Sequence, residues 1–152
     1  MVAVTGSNGK STVTTLVAEM LSAAGYEAVA GGNLGPPASQ LVADGRWQSW
    51  VLEISSFQAE LLTSMKPDVG VFLNLSPDHM DRYPSLEAYA AAKSKIYRGA
   101  GVGVFNADDP RVAAMGGTED RWSFTLGQAG SDKTFGVVGA VLALVGCGMG
   151  NL

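Results

Sequence analysis

The segment Val2-Ala3-Val4-Thr5-Gly6-Ser7-Asn8-Gly9-Lys10-Ser11-Thr12 gathers the residue types that hold a polyphosphate. Gly6 and Gly9 let the backbone curl so that successive N–H groups turn toward phosphate oxygens. A helix beginning at Ser11 would point the positive end of its dipole at the same place. Lys10 is placed to reach the outer phosphates, and the Ser11 hydroxyl is a candidate Mg²⁺ ligand. The general Walker spacing asks for a further glycine at position 4, where this chain has Val4, while the compact Gly-x-x-Gly-Lys-Ser form is met.

Three further polar clusters follow apolar runs. Gly31-Gly32-Asn33-Leu34-Gly35 by itself reads as a structural turn. Glu53-Ile54-Ser55-Ser56-Phe57-Gln58 places a carboxylate at the end of the apolar run Trp50–Leu52. A carboxylate there needs a partner, and a nucleotide-bound Mg²⁺ would supply one; a surface or helix-capping glutamate is the plainer alternative. Asn74-Leu75-Ser76-Pro77-Asp78-His79-Met80-Asp81-Arg82-Tyr83 contains the single histidine. A lone histidine is more often structural, but His79 stands among Asp78, Asp81 and Arg82, which favours a metal or phosphate role. The segment that follows offers Lys93 and Lys95, the latter read as part of a solvated helix face.

These clusters need a scaffold that brings them together, and the periodicity supplies one. Strand and helix signals alternate, the pattern of an α/β fold with a mostly parallel sheet. Strands are expected at Met1–Val4, Glu27–Ala30, Trp50–Ile54, Val69–Asn74, Gly101–Asn106 and Arg121–Thr125. Helices are expected at Ser11–Ala24, after the Gly31–Pro37 loop to about Ala43, briefly after Ile54, at Ser85–Arg98 and at Asp109–Met115. In the first helix Val13, Leu16, Val17, Met20 and Leu21 recur at helical spacing and read as its inner stripe. Gly25 reads as its cap. Ser85 reads as an N-cap with Glu87 in the first turn. In open parallel sheets ligands collect at the carboxyl ends of the strands, where the polar clusters stand.

The totals narrow the classes. The chain has 152 residues and 47% apolar composition, enough for one domain with a core. A net charge of −4 argues against a nucleic-acid binder and suits carboxylates that hold cations. Cys147 is the single cysteine, so an internal disulfide is excluded. Met1–Thr5 has no basic flank and does not read as a signal peptide. Gly136–Gly150 holds only glycine, apolar residues and Cys147. A membrane span asks for about 20 apolar residues, so a frayed tail or a strand cut off from its partners is the plainer reading.

Taken together, the clusters resemble the Mur ligases and the folylpolyglutamate synthases. The resemblance runs through the phosphate loop, Gly31–Gly35, Leu52–Gln58 and Asn74–Tyr83. It continues through Ala91-Ala92-Lys93-Ser94-Lys95-Ile96-Tyr97 and Asn106-Ala107-Asp108-Asp109, and covers about Val2 to Leu126. The Glu-Ile-Ser-Ser-Phe-Gln form is similar to that of the D-glutamate-adding branch.

The resemblance implies an ATP-dependent ligase of peptidoglycan-precursor synthesis, acting in the cytoplasm. It would activate UDP-N-acetylmuramoyl-L-alanine as an acyl phosphate and join it to D-glutamate, with ATP and two Mg²⁺ sites. By resemblance, Gly6, Ser7, Asn8, Gly9, Lys10, Ser11, Thr12 and Asn33 contact the nucleotide or the transferred phosphoryl group. Ser11 and Glu53 hold the first metal. His79 and Lys93, the latter matching a lysine carbamylated in the family, hold the second; Lys10, His79 and Lys93 are the catalytic set. Asp78 supports the His79 loop. Residues 1–127 are expected to form part of the central ATP-binding domain, and 128–152 a glycine-rich, apolar, non-matching tail. The family's N-terminal UDP-binding and C-terminal domains are expected to be missing, so this chain by itself is expected not to ligate. Alternatives are a sister ligase or a non-catalytic nucleotide-binding module. An ordinary P-loop ATPase or kinase is disfavoured by Val4 and by the Asp78–Asp81 loop.

Overall fold

A computed structural model describes residues 1–115, 117–138 and 141–144. β1 (Val2–Thr5) leads through the glycine loop into α1 (Lys10–Ala23). There follow β2 (Ala28–Gly32), α2 (Ala38–Asp44), β3 (Ser49–Glu53), α3 (Ser56–Glu60) and β4 (Val69–Phe72). α4 (Leu86–Ser94) tightens into a 3-10 turn, Lys95–Tyr97, before β5 (Val102–Asn106), α5 (Pro110–Ala114) and β6 (Asp120–Phe124). β7 (Thr134–Val138) and β8 (Val141–Leu144) complete the described elements.

The strands form one sheet in the order β2-β3-β1-β4-β5-β6-β7-β8. Pairings from β2 through β7 are parallel, and β8 closes antiparallel on β7. β1 lies between β3 and β4, so the chain crosses over on one side to reach β2 and on the other to reach β4. That arrangement opens a crevice at the carboxyl end of β1, where such sheets bind ligands. The expected α/β fold is the observed one.

Residues alternate between the two faces of the strands. Val4, Val51 and Leu73 face one side, packing with Ala18 and the partly buried Val13, Val17 and Leu21 of α1. Ala3, Leu52 and Phe72 face the other, packing with Leu41, Ala59, Tyr89, Ile96 and Val112. The inner stripe of α1 is narrower than the sequence suggested. Thr14 and Ala18 are its buried residues, while Leu16 and Met20 are 51% and 69% exposed. Small side chains at 14 and 18 let the helix lie close to the sheet, and that contact outweighs the larger apolar residues beside it.

Other boundaries also move. Gly31 and Gly32, read as loop, are the last residues of β2. The strand expected to reach Asn74 ends at Phe72. The helix expected over Ser85–Arg98 is α4 plus the 3-10 turn, with the Ser85 hydroxyl accepting from the Ala88 N–H as its cap. β7 lies in the stretch read as tail and is paired: Ser123 and Phe124 of β6 register with Thr134 and Phe135. A buried Ser123–Thr134 hydroxyl contact of 2.8 Å joins the two strands. Cys147 and residues 145–152 lie outside the described residues. Among the described residues no helix is long and apolar enough to cross a membrane.

Candidate functional site

The glycine loop leaves β1 inside the sheet, between β3 and β4. Gly9 has φ 77°, a left-handed conformation that suits glycine, and turns the chain into α1. The Val13 N–H bonds the Gly9 carbonyl at 3.1 Å. That is the first bond of the helix, so the N–H groups of Lys10, Ser11 and Thr12 point ahead of it without a helical acceptor. Free N–H groups at a dipole's positive end form an anion site. Lys10 Nζ is folded onto the Ser7 carbonyl at 3.1 Å, at the mouth of this site.

Two N–H groups earlier in the loop have partners. Those of Ser7 and Asn8 donate to Asn74 Oδ1 at 3.1 and 2.8 Å, and Asn74 Nδ2 donates to the Asn8 carbonyl at 3.0 Å. The Ser7 hydroxyl donates to the Ser76 carbonyl and accepts from the Ser76 N–H, both at 2.9 Å.

Glu53 ends β3 beside this loop and is 3% exposed. Its carboxylate accepts from the Ser11 hydroxyl at 2.6 Å and from Asn33 Nδ2 at 2.7 Å. Asn33 reaches it because the backbone turns sharply at Gly32, φ 91°, where a Cβ would stand 2.4 Å from the Glu53 carbonyl. The Asn33 N–H then bonds that carbonyl at 2.8 Å. Glu53 is thus neither a surface residue nor a cap. Ser55 caps α3 instead, in a reciprocal capping box with Gln58. Among the described residues no cationic side chain pairs with Glu53.

Lys93 projects from α4 into the same region and is 1% exposed. Its Nζ donates to the Gly6 carbonyl at 2.8 Å and lies 4.7 Å from the centre of the Tyr89 ring. Burial pushes its pKa down from 10.5 to about 8, and the like charge of Lys10 adds to the effect. Asp78 and Glu53 oppose the shift.

His79 lies on the far side of Tyr89, ring centroids 6.4 Å apart, and is tilted against Phe57 at 4.8 Å. It has φ 54°, uncommon for a residue with a side chain. Its N–H donates to Asp78 Oδ1 at 2.9 Å, and its Nε2 is 3.5 Å from Asp78 Oδ2. Arg82 lies over Phe57 at 4.6 Å and pairs with Glu60 at 2.7 Å. Lys95, read as a solvated side chain, instead donates to the Glu60 carbonyl at 2.7 Å.

The structure therefore gathers Gly6–Thr12, Asn33, Glu53 and Lys93 at one edge, with His79 beside them across Tyr89. Sequence reasoning assigned no role to Asn74, Tyr89 or Asp109. Asp109 caps α5, accepting from the Arg111 and Val112 N–H groups, and also accepts from the Leu75 N–H at 2.7 Å. Asp108 accepts from the Thr125 hydroxyl and from the Leu126 N–H, which ties the end of β5 to the end of β6.

The donor set fits a hard divalent cation. The Ser11 hydroxyl and the Glu53 carboxylate offer neighbouring oxygens beside the anion site, and a buried carboxylate without a direct ion pair is stabilised by a bound cation. Among the described residues no three His, Cys, Asp or Glu side chains cluster as a metal cage. Cations here would need hydroxyl and phosphate oxygens to complete their shells.

Residues 4–137 match the family described as Mur ligase middle domain. The chain is 56% identical, over 115 residues, to UDP-N-acetylmuramoylalanine–D-glutamate ligase of Methylococcus capsulatus, covering 76% of this chain and 25% of that protein. It thus spans about a quarter of the length of such curated relatives. The structure of a UDP-N-acetylmuramoyl-L-alanyl-D-glutamate–2,6-diaminopimelate ligase superposes with TM-score 0.70 at 25% identity, over 88% of this chain and 33% of that one. MurF ligase from Thermotoga maritima, solved with ADP, superposes with TM-score 0.63 at 23% identity, over 82% and 32% respectively.

Proposed function

This chain belongs to the Mur ligase family through its middle domain, and we propose that it is the ATP-binding part of a ligase that joins D-glutamate to UDP-N-acetylmuramoyl-L-alanine. The observation that carries the reading is the buried Glu53 carboxylate. The phosphate loop's own Ser11 bonds it, and among the described residues no cationic side chain forms an ion pair with it, Lys93 acting on it only from a longer distance. That pairing makes sense where a cation and a polyphosphate arrive together.

The reaction brings an anionic carboxylate up to the γ-phosphate, so crowding of negative charge is the obstacle. The carboxylate takes the γ-phosphoryl group and ADP leaves. The amine of D-glutamate then attacks the acyl carbon, phosphate departs, and an amide forms with loss of the amine's proton. Lys10 would swing from the Ser7 carbonyl to the outer phosphate oxygens. Gly6–Thr12 cradle the nucleotide, and Asn33 stands at the side where the phosphoryl group is transferred. Ser11 and Glu53 would hold one Mg²⁺, and His79 and Lys93 a second; bound Mg²⁺ would neutralise the phosphate charge.

An ammonium cannot ligate a cation, so Lys93 must first be modified to do so. Its free amine, well populated near a pKa of about 8, can add CO₂ to give a carbamate and one proton. The carbamate N–H would still be able to donate to the Gly6 carbonyl. On this reading the protein would act in peptidoglycan synthesis in the cytoplasm, with neither nucleic acid nor membrane as partner.

The test is a chimera in which residues 2–126 replace the matching segment of the Methylococcus relative. ADP release is expected with UDP-N-acetylmuramoyl-L-alanine and D-glutamate together, and at least tenfold less when D-glutamate is replaced by L-lysine or diaminopimelate. A folded chimera that releases no ADP with both substrates present, under conditions where the intact relative does, would refute the assignment. The 152 residues alone are expected to give no ligation product.

A further inference from the structure

We propose that Asn74 is a positioning residue that holds the phosphate loop in its binding shape before nucleotide arrives; the inference rests on the nucleotide reading above. Two consecutive loop N–H groups, those of Ser7 and Asn8, converge on the single oxygen Asn74 Oδ1 at 3.1 and 2.8 Å. Backbone nests hold an anion's oxygen in this way. Here a neutral carboxamide oxygen takes that place, and the same carboxamide donates from Nδ2 to the Asn8 carbonyl at 3.0 Å. The Ser7 N–H also reaches the backbone carbonyl of Asn74 at 3.0 Å.

The anchor is itself held on both sides. The Leu73 N–H bonds the Thr5 carbonyl at 3.0 Å, and the Leu75 N–H bonds Asp109 Oδ2 at 2.7 Å. The Asn74 side chain is therefore delivered to the loop from the carboxyl end of β4, at a sequence separation of 66 residues from Asn8.

The consequence is a division of labour within the loop. The amides of Ser7 and Asn8 shape it, while those at the start of α1 remain aimed at the anion site. Ordering a glycine-containing loop opposes binding if it must happen when the ligand arrives. Asn74 would remove that opposition in advance. The geometry asks for asparagine in particular. Aspartate keeps the acceptor, loses the donor and adds charge near phosphate; serine is too short to span both amides; leucine has neither function.

Amide hydrogen exchange of the nucleotide-free chain and calorimetric binding of a non-hydrolysable ATP analogue with Mg²⁺ test this together. In Asn74→Leu, exchange at Asn8 should speed up at least about tenfold, while Ser7, which keeps the Asn74 backbone carbonyl, and the β1 and β4 amides stay protected, and the analogue should bind about tenfold or more weakly. Asn74→Asp should keep the Ser7 and Asn8 amides protected. If Asn74→Leu does not fold, Asn74→Ser carries the same expectation. Unchanged exchange at Asn8, or faster exchange with unchanged affinity, overturns the inference while wild-type binding leaves the nucleotide reading intact. A folded wild type that does not bind the analogue overturns the nucleotide reading and this inference with it.

Discussion

Glu53→Gln should abolish most of the Mg²⁺-dependence of nucleotide binding while leaving the fold at least as stable. The glutamine is nearly isosteric and can still accept from the Ser11 hydroxyl and the Asn33 amide, which approach the carboxylate at 2.6 and 2.7 Å. It removes a charge that is 3% exposed and pairs with no cationic side chain among the described residues, so the apo fold loses a desolvation cost. What the variant cannot do is supply a hard anionic oxygen to Mg²⁺. Calorimetry with and without Mg²⁺ gives the ratio of the two dissociation constants. That ratio should fall on the order of 100-fold in the variant, at the upper end of losses seen when a metal site is disturbed. A ratio equal to the wild type's would remove Glu53 from the metal site. A large loss of stability would show that its charge serves the fold instead.

The second large effect is on stability against pH, and it belongs to Lys93. Its folded pKa of about 8 lies below the value of 10.5 for the free side chain, chiefly because it is buried and then because Lys10 is near. Between pH 8 and 10.5 the unfolded chain still holds a proton that the folded chain has released. Stability therefore rises with pH across this window, and the charged lysine opposes folding fully below it. The gap corresponds to about 3 kcal/mol. Denaturation of wild type and Lys93→Met in CO₂-free buffer, at the two ends of the window, measures it. The wild type should gain about 3 kcal/mol relative to the variant as pH rises. Parallel curves would mean that Lys93 is solvated in the folded chain, and its readiness to form a carbamate at neutral pH would lose its physical basis.

Both effects come from residues whose types announce chemistry. A glycine loop ahead of Lys-Ser, a carboxylate ending an apolar strand and one histidine among acids are informative wherever they lie, and the alternating periodicity put them at one edge of a parallel sheet. What was not legible depends on distance along the chain. Asn74 is an ordinary residue in a polar stretch until the sheet brings β4 next to β1, and Tyr89 is a buried aromatic until His79 and Lys93 are seen on either side of it. Leu16 and Met20 fit a helical stripe as well as Val13 and Val17, yet they lie outward because α1 rests on Thr14 and Ala18. β7 was missed for a different reason. Its inward positions are Thr134 and Gly136, while Phe135 is 36% exposed, so the buried face carries no large apolar side chain and gives no signal that separates strand from tail.

This domain is folded around a working phosphate loop. The most direct test is calorimetric titration of the purified chain with a non-hydrolysable ATP analogue and Mg²⁺, beside Lys10→Ala. Saturable binding is expected of the wild type, weakened at least about tenfold in the variant, which keeps the fold but lacks the cation at the outer phosphates. Binding that Lys10→Ala leaves unchanged, or a folded wild type that does not bind, would contradict it.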